Sequence, residues 1–173
     1  TNDEWIARRQ YPVKGQLILN KKDIRSWQPE ERTDKIGFIL QEPFLFTGTV
    51  RENILYSNKQ YAGFSNEQVE ETIKEAGLQS LLDIFEQGLD TPVTSGGESI
   101  SLGQKQLIAF MRAVLRNPAL LVLDEATANI DTITEHILQE ILNKLPATTT
   151  RVIIAHRVNT IKKTAEIVFV NAG

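Results

Sequence analysis

The chain has 173 residues, enough for one domain with a hydrophobic core, and its 41% apolar and 24% charged residues make an ordinary globular mixture. A formal net charge of −3 gives no general attraction to nucleic acid or anionic membrane, and the absence of cysteine excludes disulfides, thiolate metal sites and thiol catalysis. No stretch approaches the ~20 apolar residues of a membrane-spanning helix, and Thr1-Asn2-Asp3-Glu4 does not open a signal peptide. Any link to a membrane is therefore expected through a partner, or through another part of the protein.

In chain order, Trp5 to Gln10 reads as the tail of a helix, ended by Tyr11-Pro12, with a turn at Gly15. Gln16 to Leu19 reads as a short strand. Ile36 to Leu40 is an apolar run of strand length, stopped by Gln41-Glu42-Pro43. Ser65-Asn66-Glu67-Gln68 opens a helix that runs to Glu75 and ends at Gly77. Leu78 to Glu86 predicts another helix, and Thr91 to Gly97 a loop. From Ser101 to Leu115 the apolar residues Leu107, Ile108, Met111 and Leu115 recur at helical spacing, until Asn117-Pro118 breaks the segment. Leu120 to Leu123 is a buried strand, Thr132 to Leu145 an amphipathic helix, and Arg151 to Ala155 and Ile167 to Val170 are further strands. Strands that are apolar throughout and alternate with helices predict a mostly parallel sheet covered by helices. The stretch between Gln41 and Leu115 lacks strong strands and is read as a helical insertion.

Three segments carry chemistry. Leu120-Leu121-Val122-Leu123 leads into Asp124-Glu125, two acids at the carboxyl end of a strand, where open parallel sheets bind ligands. Paired carboxylates there suit a magnesium ion and a base that activates water; the same string also fits a strand ending in a solvated turn. Ser99-Ile100-Ser101-Leu102-Gly103-Gln104 leads directly into a helix. Its backbone N–H groups, serine hydroxyl and glycine suit a phosphate, and equally an ordinary serine helix cap. Val152-Ile153-Ile154-Ala155-His156 puts a histidine at the end of a strand that can reach the edge of Asp124; a structural histidine is the alternative. With only two histidines in the chain, a histidine-built metal site is not expected.

Taken together, Gln41, Ser101-Leu102-Gly103-Gln104, Asp124-Glu125, Asp131 and His156 resemble, in order and rough spacing, the ABC ATPases over nearly the whole chain. The resemblance implies an α/β fold: a mostly parallel sheet core of the P-loop NTPase kind, flanked by helices, with a helical insertion carrying the signature motif. It divides the 173 residues into a core of 1–41 and 116–173 and a helical subdomain of 42–115. Asp124 resembles the Walker B aspartate that holds Mg2+, and Glu125 the catalytic base. Gln41 resembles the Q-loop glutamine, which meets magnesium and water and senses the membrane domain. Ser101, Gly103 and Gln104 match the signature that binds ATP held by the opposite subunit. Ala128-Asn129-Ile130-Asp131 resembles the D-loop at the dimer interface, and His156 the switch histidine at the γ-phosphate.

Phe44-Leu45-Phe46-Thr47-Gly48-Thr49-Val50-Arg51-Glu52-Asn53-Ile54 is similar to the stretch that docks on the membrane domain in exporters. Its aromatics would serve there as exposed anchors or, alternatively, as core packing of the insertion. The resemblance therefore implies an ATPase that powers export, with ATP and Mg2+ as cofactors, at the cytoplasmic face of the cell membrane. Its implied partners are a transmembrane domain and a second nucleotide-binding domain, a heterodimer being favoured, and no nucleic acid. A non-transport ABC ATPase acting on DNA, and a nucleotide-free remnant that only binds partners, are the alternatives. The absence of coiled-coil heptads argues against the first.

The sequence departs from the family pattern in three places. No G-x-x-x-x-G-K-[ST] phosphate loop occurs in the chain, so its place and that of the first strands are expected before Thr1, and these residues alone are expected to bind ATP weakly. Leu102 stands where the signature has its first glycine, and Ser95 where many exporters have a glutamate.

Overall fold

The computed structural model describes residues 15–16, 18–94, 99–124, 131–154 and 166–168. A small hairpin comes first. Strands β1 (Ile18–Leu19) and β2 (Lys22–Asp23) pair antiparallel around Asn20 and Lys21, whose φ angles are 50° and 62°. Two consecutive left-handed residues make the turn whose twist matches a hairpin. The strand expected over 16–19 is thus one short arm of a ribbon. A single helical turn, Ile24–Ser26, follows, capped by the Asp23 carboxylate on the Arg25 N–H.

Helix α1 (Pro29–Lys35) begins with proline at its first position, where no N–H is needed, and Glu31 accepts the Gln28 N–H at 3.0 Å. Strand β3 (Ile36–Ile39) then runs to the expected stop before Gln41. The segment after Gln41 contains β4 (Gly48–Thr49) and α2 (Val50–Ile54), joined by a reciprocal cap between Thr49 and Glu52. Helix α3 (Asn66–Glu75) carries the same device between Ser65 and Gln68. It ends as its sequence predicts: Gly77 takes φ 71°, its N–H bonds the Lys74 carbonyl, and the Leu78 N–H bonds that of Ile73.

Two expectations for the stretch between Gln41 and Leu115 need correction. The helix expected over Leu78–Glu86 is only α4 (Gln79–Leu82). Beyond it the Phe85 N–H bonds Leu82, three residues back, and the tightened chain brings both Phe85 and Leu89 into the core. The loop expected over Thr91–Gly97 contains β5 (Pro92–Val93), paired antiparallel with β4.

Helix α5 (Leu102–Val114) is buried over most of its circumference from Gln106 onward, as befits a helix inside a core rather than on its surface. Strand β6 (Leu120–Asp124), helix α6 (Thr132–Lys144) and strand β7 (Thr150–Ile154) follow as the periodicity predicts. Glu166–Val168 is not strand, so the described part of the strand expected over Ile167–Val170 is absent. The helix tail expected at Trp5–Gln10 lies outside the described residues.

β3, β6 and β7 form a parallel sheet with β6 in the middle. Side chains alternate across it. Leu121 and Leu123 join the large core made with α2 to α6, while Leu120 and Val122 join Ile24 and Ile36 on the other face. That two-sided burial is why β6 reads as an unbroken apolar run. β3 and α5 approach closely at Gly37, where a Cβ would stand 2.9 Å from Leu121 Cδ1 and 3.2 Å from Ala113 Cβ. Among the described residues, no strand pairs with the outer edge of β7.

Candidate functional site

The sheet collects two of the expected residues at its carboxyl edge. Ile39 of β3 is level with Leu123 of β6. One step further lie Leu40 and Asp124, and Gln41 follows directly. Asp124 is half-buried as the last residue of β6, and Gln41 is exposed as the first residue past Leu40. Asp124 is also level with Ile154, which brings the end of β7 to the same edge. His156 lies two residues beyond, outside the described residues, as do Glu125 and 128–130. A carboxylate and a carboxamide on neighbouring strand ends are hard oxygen donors and suit magnesium, which favours one or two such protein ligands with the rest supplied by phosphate and water.

The Ser101 segment is a helix cap in its geometry. Ser101 Oγ accepts the Gln104 N–H at 3.1 Å, and Gln104 Oε1 accepts the Ser101 N–H at 2.9 Å. Ser101 is exposed, and because its oxygen acts as acceptor its hydroxyl hydrogen can turn to an outside acceptor. The helix start therefore fits an anion, and the two readings of this segment are compatible. Leu102 and Gly103 are half-buried in the first turn.

Asp131 caps α6. Its Oδ1 accepts the N–H groups of Ile133 and Thr134, and its Oδ2 accepts the Thr134 hydroxyl at 2.6 Å. The hydroxyl first, then the backbone donors, hold its carboxyl below the usual carboxylate range.

Three residues that matter here were not singled out by sequence reasoning. Gln106, 1% exposed, donates from Nε2 to the backbone carbonyl of Gln41 at 2.8 Å. Asn53, fully buried, accepts the Phe46 N–H at 2.8 Å and donates to the carbonyls of Phe46 and Thr49. Arg112 donates to the carbonyls of Asn53 and Phe44. Burial pushes its guanidinium down to about 10, with the neighbouring charge of Arg116 adding to the effect, so it is still charged at neutral pH. Arg112 could be noticed as a polar residue inside an apolar helical stretch, whereas Asn53 and Gln106 follow other polar residues and carry no local signal.

Asn53 and Arg112 shape the segment after Gln41. Leu45 turns into the core, whereas Phe44 is 70% exposed and Tyr56 49%. Phe46 lies between them, edge-on to Phe44 at 4.9 Å and tilted against Tyr56 at 4.1 Å. Arg112 sits 5.8 Å from the Tyr56 ring centre. The two expected aromatics, Phe44 and Phe46, thus form a row with Tyr56 on a polar clamp, with Leu45 as its root.

The ABC transporter family model matches residues 4–128. An uncharacterized ABC transporter ATP-binding protein of Bacillus subtilis, YfiC, is 44% identical over 168 residues, which is 97% of this chain and 27% of that protein. The mouse (Mus musculus) ATP-binding cassette sub-family B member 10, mitochondrial, is 42% identical over 157 residues, covering 91% of this chain and 22% of that protein. Among solved structures, a bacterial Atm1-family ABC exporter with ATP bound superimposes with a TM-score of 0.79 at 29% identity, over 94% of this chain and 28% of that one. The chain spans about a quarter of the length of these relatives. With the family model matching residues 4–128 and these relatives covering nearly the whole chain, the chain belongs to the ABC transporter family, as an ATP-binding domain homologous to those of exporters.

Proposed function

We propose that this domain hydrolyses ATP to drive a transmembrane exporter from the cytoplasmic face of the cell membrane. The carrying observation is the placement of Gln41 and Asp124 on neighbouring parallel strand ends of an ABC-family sheet. Asp124 and Gln41 would hold Mg2+, which when bound neutralises phosphate charge. Glu125 would take a proton from the attacking water, and His156 would donate to the terminal phosphate. Ser101, Gly103 and Gln104 would face ATP held by a second nucleotide-binding domain, with Asp131 at that interface. Residues 1–41 and 116–173 would be the core and 42–115 the helical subdomain. No phosphate-loop motif occurs in the 173 residues, which by themselves would bind ATP weakly.

The Phe44–Phe46–Tyr56 row would seat the transmembrane domain, since exposed aromatics on a rigid clamp make good anchors. The partner domain would be a different chain. Leu102, the half-buried first residue of α5, stands where the signature has its first glycine, and a side chain at that position would limit how closely the backbone approaches a phosphate.

The test is MgATP hydrolysis by the full-length protein in lipid, with and without Leu102→Gly. Hydrolysis is expected in the wild type, with turnover or nucleotide affinity at one of two sites raised severalfold by the substitution. No hydrolysis overturns the functional reading. An active homodimer indifferent to Leu102→Gly overturns the asymmetric one.

A further inference from the structure

Most of α5 faces apolar neighbours, yet its fifth residue is a glutamine that is 1% exposed. Burying a carboxamide is costly unless its hydrogen bonds are met. Here only half of the group is satisfied: Nε2 donates to the Gln41 carbonyl, while Oε1 is buried with no partner among the described residues. A leucine or methionine would fill the position without leaving that oxygen unpaired. The one contact the amide does make joins positions 65 apart in sequence. It fixes the backbone just where the chain leaves β3, and it leaves the Gln41 side chain exposed at the sheet edge.

Two turns of chemistry meet on this helix. Ser101 and Gln104 cap its start, and Gln106 reaches from the next residues to the segment after β3. The α5 start and Gln41 are thereby tied together by a single side chain. Arg112, lower on the same helix, holds the Phe44 carbonyl. The stretch from Gln41 to Phe44 is therefore pinned to α5 at both ends, through its carbonyls, while its side chains at 41, 42 and 44 stay exposed.

We infer that Gln106 is a positioning residue for Gln41: its amide sets where the Gln41 side chain projects, and so couples the position of the Ser101 helix start to the magnesium side of the site. This rests on the reading of Gln41 as a magnesium and water contact. The bond is made to the backbone, so the Gln41 side chain is placed without being occupied.

Gln106→Met in the full-length protein tests this, because methionine keeps the length, removes the donor and also removes the unpaired oxygen. Amide exchange in a peptide spanning 39–44 should rise about tenfold while the rest of α5 keeps its protection, because the lost bond is local. In hydrolysis, kcat should fall about tenfold with KM for MgATP within about twofold, since the loss acts on the reacting geometry rather than on ground-state binding. In a Gln41→Ala background the same substitution should change kcat no further, because there is no side chain left to place. Unchanged exchange at 39–44, or a kcat loss that adds fully to that of Gln41→Ala, overturns the inference. If the wild type hydrolyses no ATP, the functional reading fails and the exchange measurement alone decides on the tether. Gln106→Leu, also apolar, takes the place of Gln106→Met if that variant does not fold.

Discussion

Glu125→Gln in the full-length protein is expected to lower ATP turnover about a thousandfold, as removal of a general base does, while nucleotide affinity stays within about threefold because few binding contacts are lost. Asp124 ends β6 at the carboxyl edge of the sheet, and Glu125 is the next residue. A glutamine there keeps size and hydrogen-bonding shape but accepts no proton from water. The variant should therefore accumulate an ATP-bound form, seen as retained nucleotide without phosphate release. Turnover at the wild-type rate would remove Glu125 from the role of base. Its neighbour should behave differently. Asp124→Asn is expected to shift the magnesium concentration needed for activity rather than to abolish proton transfer, because the group lost is a metal ligand.

Asn53→Leu is expected to cost about 3–5 kcal/mol of local stability, the range for breaking a buried polar network. Leucine has nearly the shape of asparagine, so no cavity term is added. The loss comes from the groups left behind. The Phe46 N–H and the carbonyls of Phe46 and Thr49 lose their partner, and the Arg112 guanidinium loses a neighbouring acceptor. Native-state hydrogen exchange across 46–54 reads the effect directly, as a fall in the free energy of opening that segment. A change below about 1 kcal/mol would mean that water replaces the clamp at little cost.

The elements that the sequence announced are those with a local cause. Ser65 and Ser101 each stand three residues before a glutamine, and both open helices; Gly77 closes one. The same signal was present at Thr49–Glu52, but α2 is only five residues long and shows no periodicity to accompany it. Helix α1 buries no side chain, so it has no apolar stripe to read, although Pro29 and two glutamates mark its start. The hairpin escaped because its turn is Asn-Lys rather than Asn-Gly. At the sheet edge, the end of β6 at Asp124 could be read from the local apolar run, whereas Gln41 was named only through the family resemblance. The tether from Gln106 was not legible, because its meaning depends on a residue on another element and no periodicity encodes such a pairing.

The parallel sheet has a kinetic consequence. Each of its pairings joins strands separated by whole helices: Ile36 must find Leu120, and Leu120 must find Thr150. Closing such loops loses chain entropy before any hydrogen bond is gained, whereas α3 and α5 are built mostly from near neighbours with their own caps. In pulse-labelling during refolding, amides of α3 and α5 should gain protection first and those of β6 last. Until β6 is laid down, its four consecutive apolar residues are exposed to other chains, so the middle strand of the native sheet is also the segment most open to misassociation while the protein is being made.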